Sequence, residues 1–132
     1  MQDMRYLNLF EKITGVRTHF CFKYNNAIMF GVPKLFVMKS LGRDAENIRR
    51  IGSILRKKIK VVALPNDVKD AKAFIKNIVS PVEFKEVEVE GNEIILTAGS
   101  RNKAALIGRN KRRLIEMQKI MHDFFKKEFR IV

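Results

Sequence analysis

Leu41–Ala45 (LGRDA) and Ile107–Lys111 (IGRNK) are two short segments of the same form within this 132-residue chain. Each follows an apolar run and precedes a basic stretch whose apolar residues have helical spacing. The glycines of the two segments, Gly42 and Gly108, lie 66 residues apart, which is half the length of the chain. The sequence therefore predicts two copies of one small module.

The charge of the chain follows the same repeat. Lys and Arg number 27 against 14 acidic residues, which gives a net charge of +13. Residues 42–60 and 99–132 carry +5 and +7 of it, whereas residues 61–98 carry −3. Interspersed acids would mark an ordinary solvated surface, and the two basic segments have few. We therefore expect a polyanion as partner, with nucleic acid the leading candidate.

Other classes of protein fit the composition poorly. No apolar run approaches the length of a membrane-spanning helix, and the first residues lack the zones of a signal peptide, so we expect an intracellular, cytoplasmic protein. Cys21 is the single cysteine, and His19 and His122 have no ligand residue at metal-binding spacing. No nucleophile–base pair or phosphate loop of the Walker type occurs. We expect no enzyme activity, no cofactor and no metal.

Periodicity and turn residues predict the same element order, α-β-β-α-α-β, in both halves. The first copy has a helix at 3–14, strands at 19–24 and 27–30 joined by Asn25-Asn26, a short helix at 34–41, a helix at 45–57 and a strand at 58–64. The second has a helix at 67–79, strands at 82–90 and 93–98, a short helix at 101–107, a helix to about 126 and a strand at 129–132. Phe125 is surplus to the inward face of the last helix, and we expect it to meet the other module.

This order, with a glycine loop between two helices, resembles a tandem pair of type II KH domains, and more closely the archaeal NusA-like transcription termination/antitermination factors. The resemblance covers almost the whole chain. It rests on Arg5–Gly15, on the two glycine units, on Lys58–Val62 and on Phe74–Pro81. It implies an α+β fold of two type II KH modules, and Pro65-Asn66-Asp67 predicts the boundary between residues 1–65 and 66–132. Because the connection at 65–66 is short, we expect the modules to pack as one rigid unit with both basic helices on one side.

The resemblance also implies a binding chemistry. In a KH module a Gly-x-x-Gly loop clamps the backbone of about four nucleotides, and the bases lie in an apolar groove. Arg43 and Arg109 would pair with phosphate, and Asp44 or Asn110 would cap the following helix. The implied RNA-binding residues are Gly42, Arg43, Asp44, Ala45, Arg49, Arg50, Gly108, Arg109, Asn110, Lys111, Arg112 and Arg113.

Neither loop has the second glycine of the family pattern, because Ala45 and Lys111 stand there. We expect Ala45 to adopt a right-handed helical conformation, so that the first loop keeps its phosphate clamp. Lys111 would either replace a backbone contact with a charged one or block the strand. Asp44 places a negative charge beside the expected phosphate.

Two functions follow. The first is a monomeric protein that binds single-stranded RNA, the nascent transcript, in transcription termination or antitermination with RNA polymerase. The alternative is a KH-fold interaction module whose degenerate loops bind RNA weakly and which docks on polymerase or the ribosome.

Overall fold

Each half of the chain forms a three-stranded sheet with three helices, as a computed structural model that describes residues 4–132 shows. The first half has the elements α1 Met4–Thr14, β1 Phe20–Tyr24, β2 Ala27–Val32, α2 Val37–Leu41, α3 Glu46–Leu55 and β3 Lys58–Ala63. The second has α4 Ala71–Val79, β4 Glu86–Glu90, β5 Glu93–Thr97, α5 Lys103–Ile107, α6 Arg112–Phe125 and β6 Glu128–Ile131. The predicted order α-β-β-α-α-β is confirmed in both halves.

The two sheets have the same topology. In the first, β1 pairs antiparallel with β2, and β2 pairs parallel with β3. In the second, β5 is the central strand, with β4 antiparallel and β6 parallel to it. The two helices between the second and third strands supply the long connection that a parallel pair requires. The fold is thus α+β and consists of two KH-type modules.

The chain divides into two compact units, one ending at Leu64 and the other beginning at Pro65. Each has its own core, and the predicted rigid packing of one against the other stays a prediction. In the first unit, the rings of Phe10 and Phe30 stack with their centroids 4.3 Å apart. Ile51 of α3 is fully buried in the same core. This packing holds α1 and α3 against the sheet.

The core of the second unit includes two aromatic rings from the end of α6. Phe125 packs against Phe74 of α4 with the ring centroids 6.1 Å apart, and Phe124 lies 4.8 Å from the same ring. All three residues belong to the second unit, so Phe125 packs within its own unit, and its expected contact with the other module stays a prediction. Helix α6 has 14 residues and its counterpart α3 has 10. The additional turn carries both rings to α4.

Three predicted element boundaries also differ from the structure. The segments predicted as helices at 34–41 and 67–79 each begin with a 3-10 turn, at Lys34–Phe36 and Val68–Asp70. The strand predicted at 82–90 begins only at Glu86. The chain still turns after α4 there, because the Val82 N–H donates to the Val79 carbonyl at 3.0 Å.

The hairpin turn of the first unit is confirmed. Asn25 and Asn26 have φ values of 52° and 62°, which place both in the left-handed region. Two such residues form the type I′ turn whose twist matches that of paired strands. Asparagine tolerates this conformation better than most side chains.

We predict that Phe10→Ala lowers the free energy of unfolding by about 3–5 kcal/mol, because it removes a fully buried ring and leaves a cavity. Urea unfolding followed by circular dichroism measures the change. Phe36→Ala is the matched control, since that ring is 44% exposed and should lose much less. Equal losses in the two variants would contradict the assigned core.

Candidate nucleic-acid interface

The first loop (residues 42–45) joins α2 to α3, and the second loop (residues 108–111) joins α5 to α6. Gly42 has φ 76° and ψ 178°, and Gly108 has φ 77° and ψ 169°. In both, the glycine N–H donates to the carbonyl four residues earlier, Met38 at 3.2 Å and Ala104 at 2.9 Å. The two loops therefore have the same backbone conformation, as the repeat predicts.

Glycine is required at both positions for two reasons. The φ values lie in the left-handed region that side chains disfavour. A Cβ on Gly42 would also lie 2.7 Å from Nδ2 of Asn47, and one on Gly108 would lie 2.8 Å from Cγ of Arg113. The side chain five residues later thus occupies the space above each glycine.

That side chain also braces the two helices. Asn47 Nδ2 donates to the carbonyl of Lys39 at 3.4 Å, and Arg113 Nη1 donates to the carbonyl of Ala105 at 2.8 Å. Lys39 and Ala105 each lie three residues before the loop glycine. Arg113 was predicted to contact RNA, but its guanidinium is half-buried in this structural bridge. Sequence reasoning missed the bridge, although the offset of 66 aligns Arg113 with Asn47.

The residues after each glycine correct the prediction for Ala45. Asp44 and Ala45 have φ values of 53° and 58°, and Asn110 and Lys111 have 56° and 60°. Ala45 is therefore left-handed and not right-handed as expected. The second glycine of the family pattern suits this position because it has no Cβ, so alanine and lysine here place the backbone under strain.

The expected helix caps are also wrong. The N-cap residues of α3 and α6 are Ala45 and Lys111, and Asp44 and Asn110 lie one residue earlier. Alanine and lysine side chains have no atom that accepts a hydrogen bond. The first-turn N–H groups of both helices thus receive no cap from these positions, and such groups favour an anion.

The loops differ in how they are closed. The Arg49 guanidinium donates to the backbone carbonyl of Asp44, so α3 holds the first loop. The offset of 66 places Ile115 at the corresponding position of α6, and Ile115 is 58% exposed. An isoleucine cannot make this bond, so the second loop is not held in the same way.

The loops also differ in charge. From Gly42 to Asn47 the chain has Arg43 against Asp44 and Glu46, a net charge of −1. From Gly108 to Arg113 it has four cations and no acid, a net charge of +4. Arg109, Lys111 and Arg112 are exposed among them. The second loop is therefore the more favourable position for a phosphate group.

The comparisons with known proteins agree with this fold. No protein-family model matches the chain. The chain is 30% identical over 111 residues to the probable transcription termination protein NusA of Methanococcus vannielii. This similarity makes the chain NusA-like in sequence over the matched residues. The match covers 81% of the chain, which spans 62% of the length of that relative. The NusA-like chain also shares its fold with the crystal structure of APE1850, with a TM-score of 0.70, 24% identity and coverage of 98% and 96%.

The predicted RNA-binding residues of the first loop lie in the first unit, and those of the second loop lie in the second unit. Exposed side chains are those of Arg43, Asp44, Arg49, Arg50, Arg109, Asn110, Lys111 and Arg112. Partly buried residues are Gly42, Ala45, Gly108 and Arg113. In the second loop, Arg109, Lys111 and Arg112 are all exposed to solvent. The guanidinium groups of Arg49 and Arg113 each donate a hydrogen bond to a backbone carbonyl.

A further group of acidic residues lies on β4, at the edge of the second sheet. Glu88 and Glu90 are exposed there, and Glu86 pairs with Nζ of Lys72 at 2.9 Å. The hydrogen bond from Lys72, followed by that from the Val87 N–H, lowers the pKa of Glu86.

Within residues 4–132 no group of three His, Cys, Asp or Glu is placed to hold a metal ion. In the same part of the chain no helix is long and apolar enough to cross a membrane.

We predict that Ala45→Gly and Lys111→Gly each raise the free energy of unfolding by about 1 kcal/mol, because glycine relieves the left-handed strain. Ala104→Gly is the matched control: Ala104 is exposed in right-handed α5, and glycine there should cost about 0.5–1 kcal/mol. Urea unfolding measures all three. A loss of stability in both loop variants would show that the positions are not strained.

Proposed function

We propose that this protein binds single-stranded RNA through its glycine loops, with the second loop as the principal phosphate site, and acts with RNA polymerase in transcription termination or antitermination. The observation that carries the proposal is the cation set Arg109, Lys111 and Arg112 at an uncapped helix start. Backbone N–H groups and charged side chains that point to one place favour a phosphate. The proposal contains no catalytic step.

The role of each residue follows from its position. Gly108 lets the backbone approach the nucleotide chain closely, and Arg109 supplies a guanidinium that can bind phosphate with two hydrogen bonds. Lys111 supplies an ammonium in place of the N–H contact that a glycine would allow. Exposed Ile115 follows on α6 and offers an aliphatic surface to a base.

The first loop has the weaker part in this proposal. Arg43 lies between the negative charges of Asp44 and Glu46, and Arg49 is engaged with the Asp44 carbonyl. Arg50 is exposed and extends the cationic surface of α3. The first loop therefore adds to affinity less than the second.

The name of the Methanococcus vannielii relative supports a role in transcription termination. The nascent transcript is the single-stranded RNA that such a role requires. We propose accordingly a cytoplasmic protein that works as a monomer, without a cofactor, and has RNA polymerase as its protein partner.

We predict that Arg109→Gln lowers affinity for a labelled single-stranded RNA pool about tenfold, because a charge-assisted contact is worth about 1.5 kcal/mol or more. Arg43→Gln should lower it less. Lys76→Gln makes the same change in net charge at an exposed residue of α4, which is part of neither loop, and it should leave affinity almost unchanged. Fluorescence anisotropy measures the three variants beside the wild type.

The salt dependence gives a second measurement. Three phosphate contacts predict a slope of about −2 for log K against log salt, and Arg109→Gln should reduce its size by about 0.7. Equal effects of Arg109→Gln and Lys76→Gln would show that net charge alone drives binding. Absence of binding at low salt would favour the alternative, an interaction module that docks on polymerase or the ribosome.

A further inference from the structure

An apolar patch lies on the surface of the first unit, at the turn that leads into α2. Leu35 is 90% exposed, Met38 is 78% exposed and Phe36 is 44% exposed. Leu35 and Met38 are three residues apart in a helical segment, so they lie on the same face. These three residues are called the apolar patch below.

The apolar patch is not a core face that the fold left uncovered. Val37, between its members, packs against the core of the unit. Ser40 is fully buried, and its Oγ donates to the Phe36 carbonyl at 2.7 Å. The inward side of the segment is therefore already occupied, and the patch belongs to the outward side.

The second unit shows that the fold does not require apolar residues there. Helices α2 and α5 correspond with an offset of 66 residues. Arg101, Asn102 and Ala104 take the positions of Leu35, Phe36 and Met38. The corresponding positions thus accept two polar residues and an alanine, and the patch needs an explanation outside folding.

We propose that the apolar patch docks an acidic amphipathic helix of another protein. The apolar face of that helix would cover the patch, and its carboxylates would lie near Lys34 and Lys39, which are exposed on either side. Such opposite charges steer association and fix its register. This inference does not depend on RNA binding.

Two other occupants suit the patch less well. A second copy of the chain would bring together two molecules of net charge +13, which repel each other. RNA bases stack on aromatic rings, of which the patch has one, and RNA as the occupant is an outcome of the test below. An acidic helix satisfies both the apolar side chains and the flanking lysines.

The test uses a labelled peptide of about 18 residues with leucines on one helical face and glutamates on the other. The variant Leu35→Arg/Met38→Ala places the residues of the second unit at two of the three patch positions. We expect it to bind the peptide about tenfold more weakly, since it loses two apolar contacts. The loss would occur although the variant gains a positive charge, so electrostatics cannot account for it.

Three controls accompany this measurement. Val89→Arg changes an exposed apolar residue of the second unit and should leave peptide affinity unchanged. A peptide with serine in place of leucine should bind weakly. Met38→Ala alone provides a milder variant, and circular dichroism verifies that each variant is folded.

Several results would overturn the proposal. Equal affinity for the serine and leucine peptides would show that net charge alone drives peptide binding. Full peptide affinity in the double variant would place the contact elsewhere. A loss of RNA affinity that matches the loss of peptide affinity would make the patch a base-binding surface. A wild-type dimer that the double variant abolishes in sedimentation would identify a second copy as the occupant.

Discussion

The close approach between each loop glycine and the side chain five residues later fixes how the two central helices of each module meet. Gly42 and Gly108 leave the space that Asn47 and Arg113 fill, and these side chains return to the carbonyls of Lys39 and Ala105. A side chain at the glycine position would collide with Asn47 or Arg113, and its residue would also have to adopt a disfavoured φ. This one contact therefore fixes the connection between the two helices. That connection in turn leaves the first turn of the second helix exposed.

The element order was predictable because it rests on local signals. Helical spacing, the Asn25-Asn26 pair and the alternating strands all act within a few residues, and the structure has each of them. The start of β4 was not predictable in this way. Residues 82–85 have a strand-like pattern, but the chain must first turn out of α4, and that requirement comes from the helix before it.

The details of the site depended on contacts across the turn. The left-handed conformation of Ala45 is imposed by the connection between α2 and α3, so the preference of alanine for right-handed helix did not decide it. The bond from Arg113 to Ala105 spans eight residues and looks in sequence like any other basic position. The contact of Phe125 with Phe74 was not predicted, because it depends on α6 being one turn longer than α3.

Lys111 and Ala45 occupy the same strained position for different physical reasons. A residue in the left-handed region costs about 1–2 kcal/mol relative to a right-handed one, and glycine would avoid most of that cost. In the first loop the Arg49 guanidinium donates to the adjoining Asp44 carbonyl, so a hydrogen bond within the unit helps to maintain the strained turn. In the second loop Ile115 provides no such bond, and the Lys111 side chain is exposed, so the fold gains nothing from the lysine. A side chain that strains its own backbone without serving the core is best explained by what it contacts outside the protein. On this argument the position that departs most from the family pattern is the one that favours the second loop as the phosphate site.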